Sequence, residues 1–147
     1  MLRTPRPGDG ACAFCEERAR CWAALQERLL PAAEAAYARF LRQKKEILWS
    51  AHAEGRLFFR CLAKRDVLKA LEDGVVVEAQ GRTVLVFTSI RAGRAYRPLH
   101  VVLSLDAPGR ATVVTVYDPR SEAWRWDASL TRRVCWCDRE EVDALWA

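Results

Sequence analysis

The stretch HAEGRLFFR places one histidine and two arginines four residues apart. If this segment is helical, His52, Arg56 and Arg60 project from roughly one face. Histidine transfers protons near neutral pH, and the planar guanidinium of arginine binds two oxygens of a phosphate. The pattern therefore indicates a face suited to phosphate chemistry, with His52 as the acid or base. The alternative is a solvated helix surface whose arginines pair with carboxylates such as Glu54 or Asp66.

Two further residues could complete such a site. His100 lies in the strand-like segment PLHVVLSL and Tyr117 lies in ATVVTVYD, and the chain has only two histidines. Successive side chains of a strand point to opposite faces, so the sequence does not decide whether His100 and Tyr117 point towards His52. The alternative for His100 is a hydrogen-bonded residue of the core.

The loop RAGRAYR carries three arginines around a tyrosine, namely Arg91, Arg94, Tyr96 and Arg97. Clustered arginines beside an aromatic ring suit RNA phosphates and a stacked base. The alternative is a solvated hairpin loop whose charges keep the protein soluble. The loop is therefore a candidate RNA-binding element.

Four of the six cysteines form two close pairs, CxxC at Cys12 and Cys15 and CxC at Cys135 and Cys137. Four thiolates bind zinc tetrahedrally, and a closed site of this kind is structural rather than catalytic. Such a site would join the Pro/Gly-rich N-terminal segment to the end of the chain.

Three alternatives to zinc stay open for the cysteines. Cys21 extends the first pair to CxxCxxxxxC, a series that allows an iron–sulfur cluster. Disulfides are a second alternative, since they occur inside the cells of some thermophiles. Buried free thiols are the third, and this reading suits Cys61 and Cys21, which lie in apolar helical contexts.

Composition and charge exclude several classes of protein. Of the 147 residues, 51% are apolar, which supports a packed core and argues against global disorder. No run reaches the ~18 apolar residues of a membrane span, and the N-terminus lacks the apolar core of a signal peptide. We expect a cytoplasmic protein with no membrane contact. Residues 1–65 carry 13 Lys+Arg against 7 Asp+Glu, which favours a polyanion or an acidic protein as partner.

Helical patterns come first along the chain. Residues 16–30 predict a helix that Pro31 interrupts or restarts, and residues 32–52 predict a second helix. Asp66 is expected to cap a short third helix, which Gly74 ends.

Consecutive strands follow the helices. The segments VVVEAQ, TVLVFTSI, PLHVVLSL and ATVVTVYD predict a four-stranded antiparallel meander, to which RVCWC could add an edge strand. DREEVDALW predicts a final short helix. This order predicts an α+β fold with an N-terminal helical hairpin and an antiparallel sheet of four to five strands. We divide the chain into a cysteine-containing helical extension (1–49), an α+β core (50–137) and a C-terminal helix (138–147), packed as a single compact domain.

The segment HAEGRLFFRCLAKRDVLKALEDG, followed by RPLHVV and VTVYDP, resembles the bacterial family named domain of unknown function 4258. The resemblance covers roughly residues 50–120 and rests on the order and spacing of the motifs. That family is similar to RelE-like ribonuclease toxins, the group joined by fold with barnase and the colicin nucleases. Its members are often found beside small zinc-finger antitoxins. Cys61 departs from the family pattern, in which glycine often follows the second arginine.

The resemblance implies a RelE-like core and a toxin-like endoribonuclease that cleaves RNA without a catalytic metal. His52 would transfer protons, and Arg56 and Arg60 would hold the phosphate. His100 and Tyr117 would complete the site. The partners implied are RNA and an antitoxin that covers the basic face.

A second hypothesis comes from another class of protein, a zinc-stabilised, non-catalytic module that binds RNA or another protein. Convergence of His52, Arg60 and His100 in one cleft would favour the enzyme, whereas a buried His100 far from His52 would favour binding. A third hypothesis is a homodimer formed through an aromatic helix stripe. This stripe comprises Trp22, Tyr37, Phe40 and Trp49.

Overall fold

The computed structural model describes residues 12–137, so the predicted lead-in (1–11) and the predicted C-terminal helix (138–147) lie outside the described residues. The described chain confirms a mixed α+β class. The elements in chain order are α1 (Glu16–Gln43), β1 (Glu46–Trp49), α2 (Ala51–Phe59), α3 (Lys64–Leu71), β2 (Val75–Gln80), β3 (Thr83–Ala92), β4 (Ala95–Ala107), β5 (Arg110–Tyr117) and a 3-10 helix (Pro119–Arg125). No described helix is both long enough and apolar enough to cross a membrane.

The sheet has five strands in the order β1-β5-β4-β3-β2. Strands β2 to β5 form the predicted antiparallel meander, but β1 pairs with β5 in parallel, from Glu46 opposite Arg110 to Trp49 opposite Val113. The prediction of a purely antiparallel sheet was therefore wrong. The segment EILW was expected to continue a helix, but Ile47 and Trp49 pack against the core in a strand whose partner lies far along the chain.

The segment RVCWC does not supply the fifth strand. Arg133 forms one isolated bridge with Trp126, and the following residues have no regular secondary structure. The reason is local, because the backbone N–H groups of Val134 and Cys135 both donate to the carbonyl of Arg125. This shared acceptor turns the segment back on the preceding 3-10 helix.

Two predicted helix boundaries also need correction. Helix α1 runs through Pro31 without a break, and Pro31 is exposed, so water can serve the carbonyl that the proline leaves without a donor. Helix α3 has Ala63 as its N-cap with no side-chain hydrogen bond, and Asp66 lies inside the first turn rather than at the cap. Gly74 follows α3 as expected, and a β-carbon there would collide with Val86.

The core lies between the helices and one face of the sheet. Its buried side chains come from all three α-helices and from strands β2 to β5. The helical contributors are Tyr37, Phe40, Ala53, Leu57, Val67 and Leu71. Since Tyr37 and Phe40 are buried in this core, these two members of the aromatic stripe are not available to a second copy of the chain.

Contacts divide the described chain into two compact units. One unit, residues 26–118, contains the sheet, α2, α3 and most of α1. The other unit contains residues 12–25 and 119–137. The second unit contains all four cysteines of the CxxC and CxC pairs.

Candidate functional site

The four paired cysteines converge in the smaller unit. The Sγ atoms of Cys12, Cys15, Cys135 and Cys137 all lie within 4.8 Å of one another, and those of Cys15 and Cys137 are 3.7 Å apart. Four thiolates at about 2.3 Å from a tetrahedral zinc ion are about 3.8 Å from each other. The Cys15–Cys137 distance is therefore that of two ligands on one ion, and the four thiols together could hold a metal such as zinc.

Local structure explains why the two pairs face one centre. The N–H of Cys15 donates to the carbonyl of Cys12 at 3.1 Å, which folds the CxxC segment into a turn directly before α1. Cys135 and Cys137 are two residues apart in an irregular segment. Cys12, Cys15 and Cys135 are buried, and Trp124 and Trp136 pack against the cluster. The site is closed, as a structural metal centre requires.

The pKa values of Cys15, Cys135 and Cys137 are shifted in different directions. Burial raises the pKa of Cys135 and raises that of Cys137 to about 11. Burial also acts to raise the pKa of Cys15, but the Trp136 N–H, 3.3 Å from its Sγ, and the neighbouring thiols outweigh burial and lower it. The guanidiniums of Arg18 and Arg133 each lie 5.3 Å from the Trp136 ring centre. Two positive charges therefore lie against the ring of Trp136, which packs on the cysteine cluster.

The other two cysteines lie outside the cluster. Cys21 and Cys61 are both exposed, so the expectation that they are buried thiols was wrong. None of the six cysteines is in a disulfide. The iron–sulfur alternative depended on Cys21, and it loses that support because Cys21 is not among the four converging thiols.

Cys61 ends helix α2 in a left-handed conformation, with φ of 54°. Its N–H donates to the carbonyl of Phe58, and the N–H of Leu62 donates to that of Leu57. These two bonds form a Schellman motif, in which glycine is the usual residue at the left-handed position.

Helix α2 and its C-cap carry His52, Arg56 and Arg60, the residues predicted to handle protons and phosphate. Ser50 caps it by accepting from the Ala53 N–H at 3.0 Å, and His52 and Arg56 are exposed. Arg60, at the C-cap, is half-buried, and its Nε has no hydrogen-bond partner among the described residues. Glu54 pairs with Lys64 at 2.8 Å rather than with either arginine.

His100 and Tyr117 form a cross-strand pair. The Nδ1 of His100 and the hydroxyl of Tyr117 are hydrogen-bonded at 3.1 Å, and His100 is fully buried. The flanking Leu99 and Val101 belong to the core beneath the helices, so alternation directs His100 to the opposite face of the sheet. The structure therefore brings His100 and Tyr117 together but separates them from α2 by the sheet.

The loop RAGRAYR forms the β3–β4 hairpin. Arg91 and Tyr96 are cross-strand partners, and the Arg91 Nε donates to the Gly93 carbonyl at 3.1 Å. Arg94 is exposed, and Tyr96 is 70% exposed. Arg97 is half-buried, and its Nε has no hydrogen-bond partner in the described part of the chain. Three of the four predicted RNA-binding side chains are thus at the surface.

A solvent-open groove of about 570 Å³ separates the hairpin from α3. Its lining includes side chains that sequence reasoning had not assigned to a site. The charged ones are Asp66 and Lys69 on α3 and Asp73 in the turn that follows it. The three-residue spacing of Asp66 and Lys69 places these two on one helix face, and this spacing was the signal that could have found them.

An exposed aromatic pair was also missed. Phe58 and Phe59, at the end of α2, are 79% and 83% exposed, and their ring centres are 5.7 Å apart. Two consecutive phenylalanines do not follow a helical or strand periodicity, so the sequence pattern did not predict that both are exposed. They do not line the groove.

Comparison with known proteins finds a match to a family model for one segment of the chain. No curated protein and no solved structure matches the chain. Residues 49–118, just under half of the chain, match the model of the family described as domain of unknown function (DUF4258), which supports the resemblance seen in the motifs.

Proposed function

We propose that the protein is a zinc-stabilised, non-catalytic module that binds single-stranded RNA through the β3–β4 hairpin. The observation that carries the proposal is the exposed set formed by Arg91, Arg94 and Tyr96. Arginines contact the phosphates of an unpaired strand, and an exposed tyrosine offers a face on which a base stacks.

The position of His100 supports binding over catalysis. A general acid or base must approach the substrate within hydrogen-bond distance, directly or through one water. His100 is fully buried, and it lies across the sheet from His52 and the arginines of α2. This arrangement supports a binding function over catalysis by the five residues expected to form a catalytic centre.

Zinc is the metal proposed for the four-cysteine centre. An all-thiolate, tetrahedral, closed site is the arrangement of structural zinc. In an iron–sulfur cluster the four thiolates are divided among two or more iron atoms, so as a set they lie farther apart than four thiolates on one ion. Bound zinc would stabilise the smaller unit because its binding free energy adds to the free energy of folding.

RNA binding can be tested by fluorescence anisotropy with a labelled mixed-sequence single-stranded RNA. Tyr96→Ala should weaken binding by roughly 5- to 150-fold, the value of one stacked base. Arg94→Ala should weaken it and reduce the salt slope by about 0.7. Arg28→Ala, an exposed arginine of α1, serves as the matched control. Absence of binding by the unmodified protein, or equal affinities in all variants, would overturn the proposal.

A toxin-like endoribonuclease is the second candidate, and the His100–Tyr117 hydrogen bond favours it. That activity would use this pair on its face of the sheet, in a RelE-like core, and the resemblance would then imply an antitoxin that covers the basic surface. Tyr117→Phe removes the hydroxyl while keeping the ring. Cleavage of RNA that survives a chelator and is lost in Tyr117→Phe would favour the enzyme.

A further inference from the structure

We propose that the groove between α3 and the β3–β4 hairpin, here called the α3–hairpin groove, is a nucleobase pocket that selects guanine. The proposal rests on the RNA binding proposed above and names the base that the surface prefers. The volume of the groove, about 570 Å³, falls within the range of ~300–1,000 Å³ that is typical of small-molecule sites. The groove is therefore large enough for one nucleotide of a longer strand.

The two walls of the α3–hairpin groove are held in place by contacts with each other and with the core. The Thr88 hydroxyl donates to the Ala70 carbonyl at 2.6 Å, which joins β3 directly to α3. Val67 and Leu71, on the other face of α3, are buried in the core. Since both walls are anchored, a base can enter without the cost of ordering a loop.

The hairpin wall supplies the stacking surface. Tyr96 lines the groove while remaining 70% exposed, and Arg91 is its cross-strand partner. The hydrogen bond from Arg91 to the Gly93 carbonyl fixes the guanidinium at the hairpin. A tyrosine ring and a guanidinium are the two kinds of planar group on which unpaired bases stack.

The helix wall supplies the base selectivity. Asp66 and Lys69 lie on α3 and Asp73 lies in the turn after it, and all three line the groove and are exposed. Asp66 forms an exposed ion pair with Arg65, and because Oδ1 is 3.9 Å from Nε, too far for a hydrogen bond, the carboxylate can still accept from a ligand. Lys69 adds a positive charge for a flanking phosphate.

An ionised carboxylate only accepts hydrogen bonds. Guanine is the one standard base whose Watson–Crick edge offers two adjacent donors, N1–H and the N2 amino group. Adenine and cytosine place an acceptor nitrogen beside their amino group, and uracil places its single donor between two carbonyl oxygens. A carboxylate in the groove therefore binds guanine through two hydrogen bonds. With any of the other three bases, one carboxylate oxygen faces an acceptor atom, and the two repel each other.

The test uses four five-nucleotide RNAs with uracil at every position except the centre, which is guanine, adenine, cytosine or uracil. A fifth carries inosine, which lacks the N2 amino group. Anisotropy titrations should show the guanine RNA binding roughly 5- to 150-fold more tightly than the uracil RNA, the discrimination of one bidentate pair. Inosine should give an intermediate affinity because one of the two donors is missing.

Variants identify the groups responsible. Asp66→Asn and Asp73→Asn, alone and combined, place an amide with a donor NH2 group and one acceptor oxygen where the carboxylate was. The guanine preference should fall in at least one single variant and disappear in the double variant, while binding to the uracil RNA persists. Glu34→Gln, which removes an exposed carboxylate of α1, should keep the preference. Phe59→Ala removes an exposed aromatic ring outside the groove, so it is the matched control for Tyr96→Ala and should keep the guanine preference.

The outcomes separate this inference from the proposed function. Equal affinity for all four bases would overturn the guanine pocket and leave RNA binding in place. A guanine preference that survives in the folded double variant would also overturn it, since the carboxylates would not be its source. Failure of every RNA to bind would overturn both the pocket and the proposed function.

Discussion

The side chain of Gln26 makes the two hydrogen bonds that a neighbouring strand would make to Ala79. Its Nε2 donates to the Ala79 carbonyl at 3.0 Å, and its Oε1 accepts from the Ala79 N–H at 2.7 Å. Ala79 lies in β2, an edge strand of the sheet, and Gln26 is buried. One glutamine thus covers part of a sheet edge that would otherwise carry unpaired backbone groups.

Replacing Gln26 with leucine should lower the free energy of unfolding by at least about 2 kcal/mol, because it leaves the buried N–H and carbonyl of Ala79 unpaired. Gln43→Leu, at an exposed glutamine of the same helix, should change it by no more than about 0.5 kcal/mol. Urea denaturation followed by circular dichroism measures both. Equal losses in the two variants would show that the Gln26 contacts do not stabilise the edge.

Replacing Cys61 with glycine should stabilise the protein by about 0.5–1 kcal/mol. The left-handed φ of 54° is strained for any residue with a β-carbon, and this gain exceeds the extra entropy that glycine brings to the unfolded chain. Cys61→Ala keeps the β-carbon and should bring no such gain. Cys21→Gly, inside α1, should instead cost about 0.3 kcal/mol, the difference between the helix propensities of cysteine and glycine. A melting temperature that falls in Cys61→Gly would contradict the assignment of the Schellman motif.

Tyr37→Phe should lower the free energy of unfolding by about 1 kcal/mol, because the buried hydroxyl donates to the Leu71 carbonyl. Burial also raises the pKa of Tyr37 above its ordinary value. A group whose folded pKa is raised stabilises the fold fully below its unfolded pKa of about 10, and this contribution is lost as the pH rises above that value. Stability measured from pH 8 to 11 should therefore fall less steeply in Tyr37→Phe. Identical pH profiles would exclude this role for Tyr37.

The four-cysteine centre should carry one zinc ion in the purified protein. Native mass spectrometry should show one bound zinc, which Cys15→Ser and Cys135→Ser lose and which Cys21→Ser and Cys61→Ser keep. Removal of the zinc by a chelator should lower the melting temperature. Protein that is metal-free, fully reduced and equally stable with and without chelator would rule the zinc site out, and visible absorption from bound iron would point to a cluster instead.

The parts of the fold that the sequence predicted are those with strong local signals. The β-branched segments of β2 to β5 fixed the meander, and the CxxC and CxC pairs indicated one metal centre. The segment Glu46–Trp49 was misassigned because its partner, Arg110–Val113, lies more than sixty residues away. A four-residue strand has no periodicity of its own to distinguish it from the end of a helix.

The side of the sheet that Tyr117 faces could not be read from alternation alone. Ala111 and Val113 face the core, so simple alternation along β5 would have placed Tyr117 on the same face. A bulge in β5 adds one residue, Val114, between the partners of Val102 and Leu103. The alternation then reverses, Val116 takes the core position, and Tyr117 lies beside His100.

The most direct measurement is to incubate a labelled mixed-sequence RNA with the purified protein and to follow binding and cleavage on parallel native and denaturing gels. A non-catalytic RNA-binding module should shift the RNA on the native gel and leave it intact on the denaturing gel, and Tyr96→Ala should weaken the shift. Cleavage that persists with chelator and is lost in His52→Ala or Tyr117→Phe would contradict this assignment and establish the endoribonuclease.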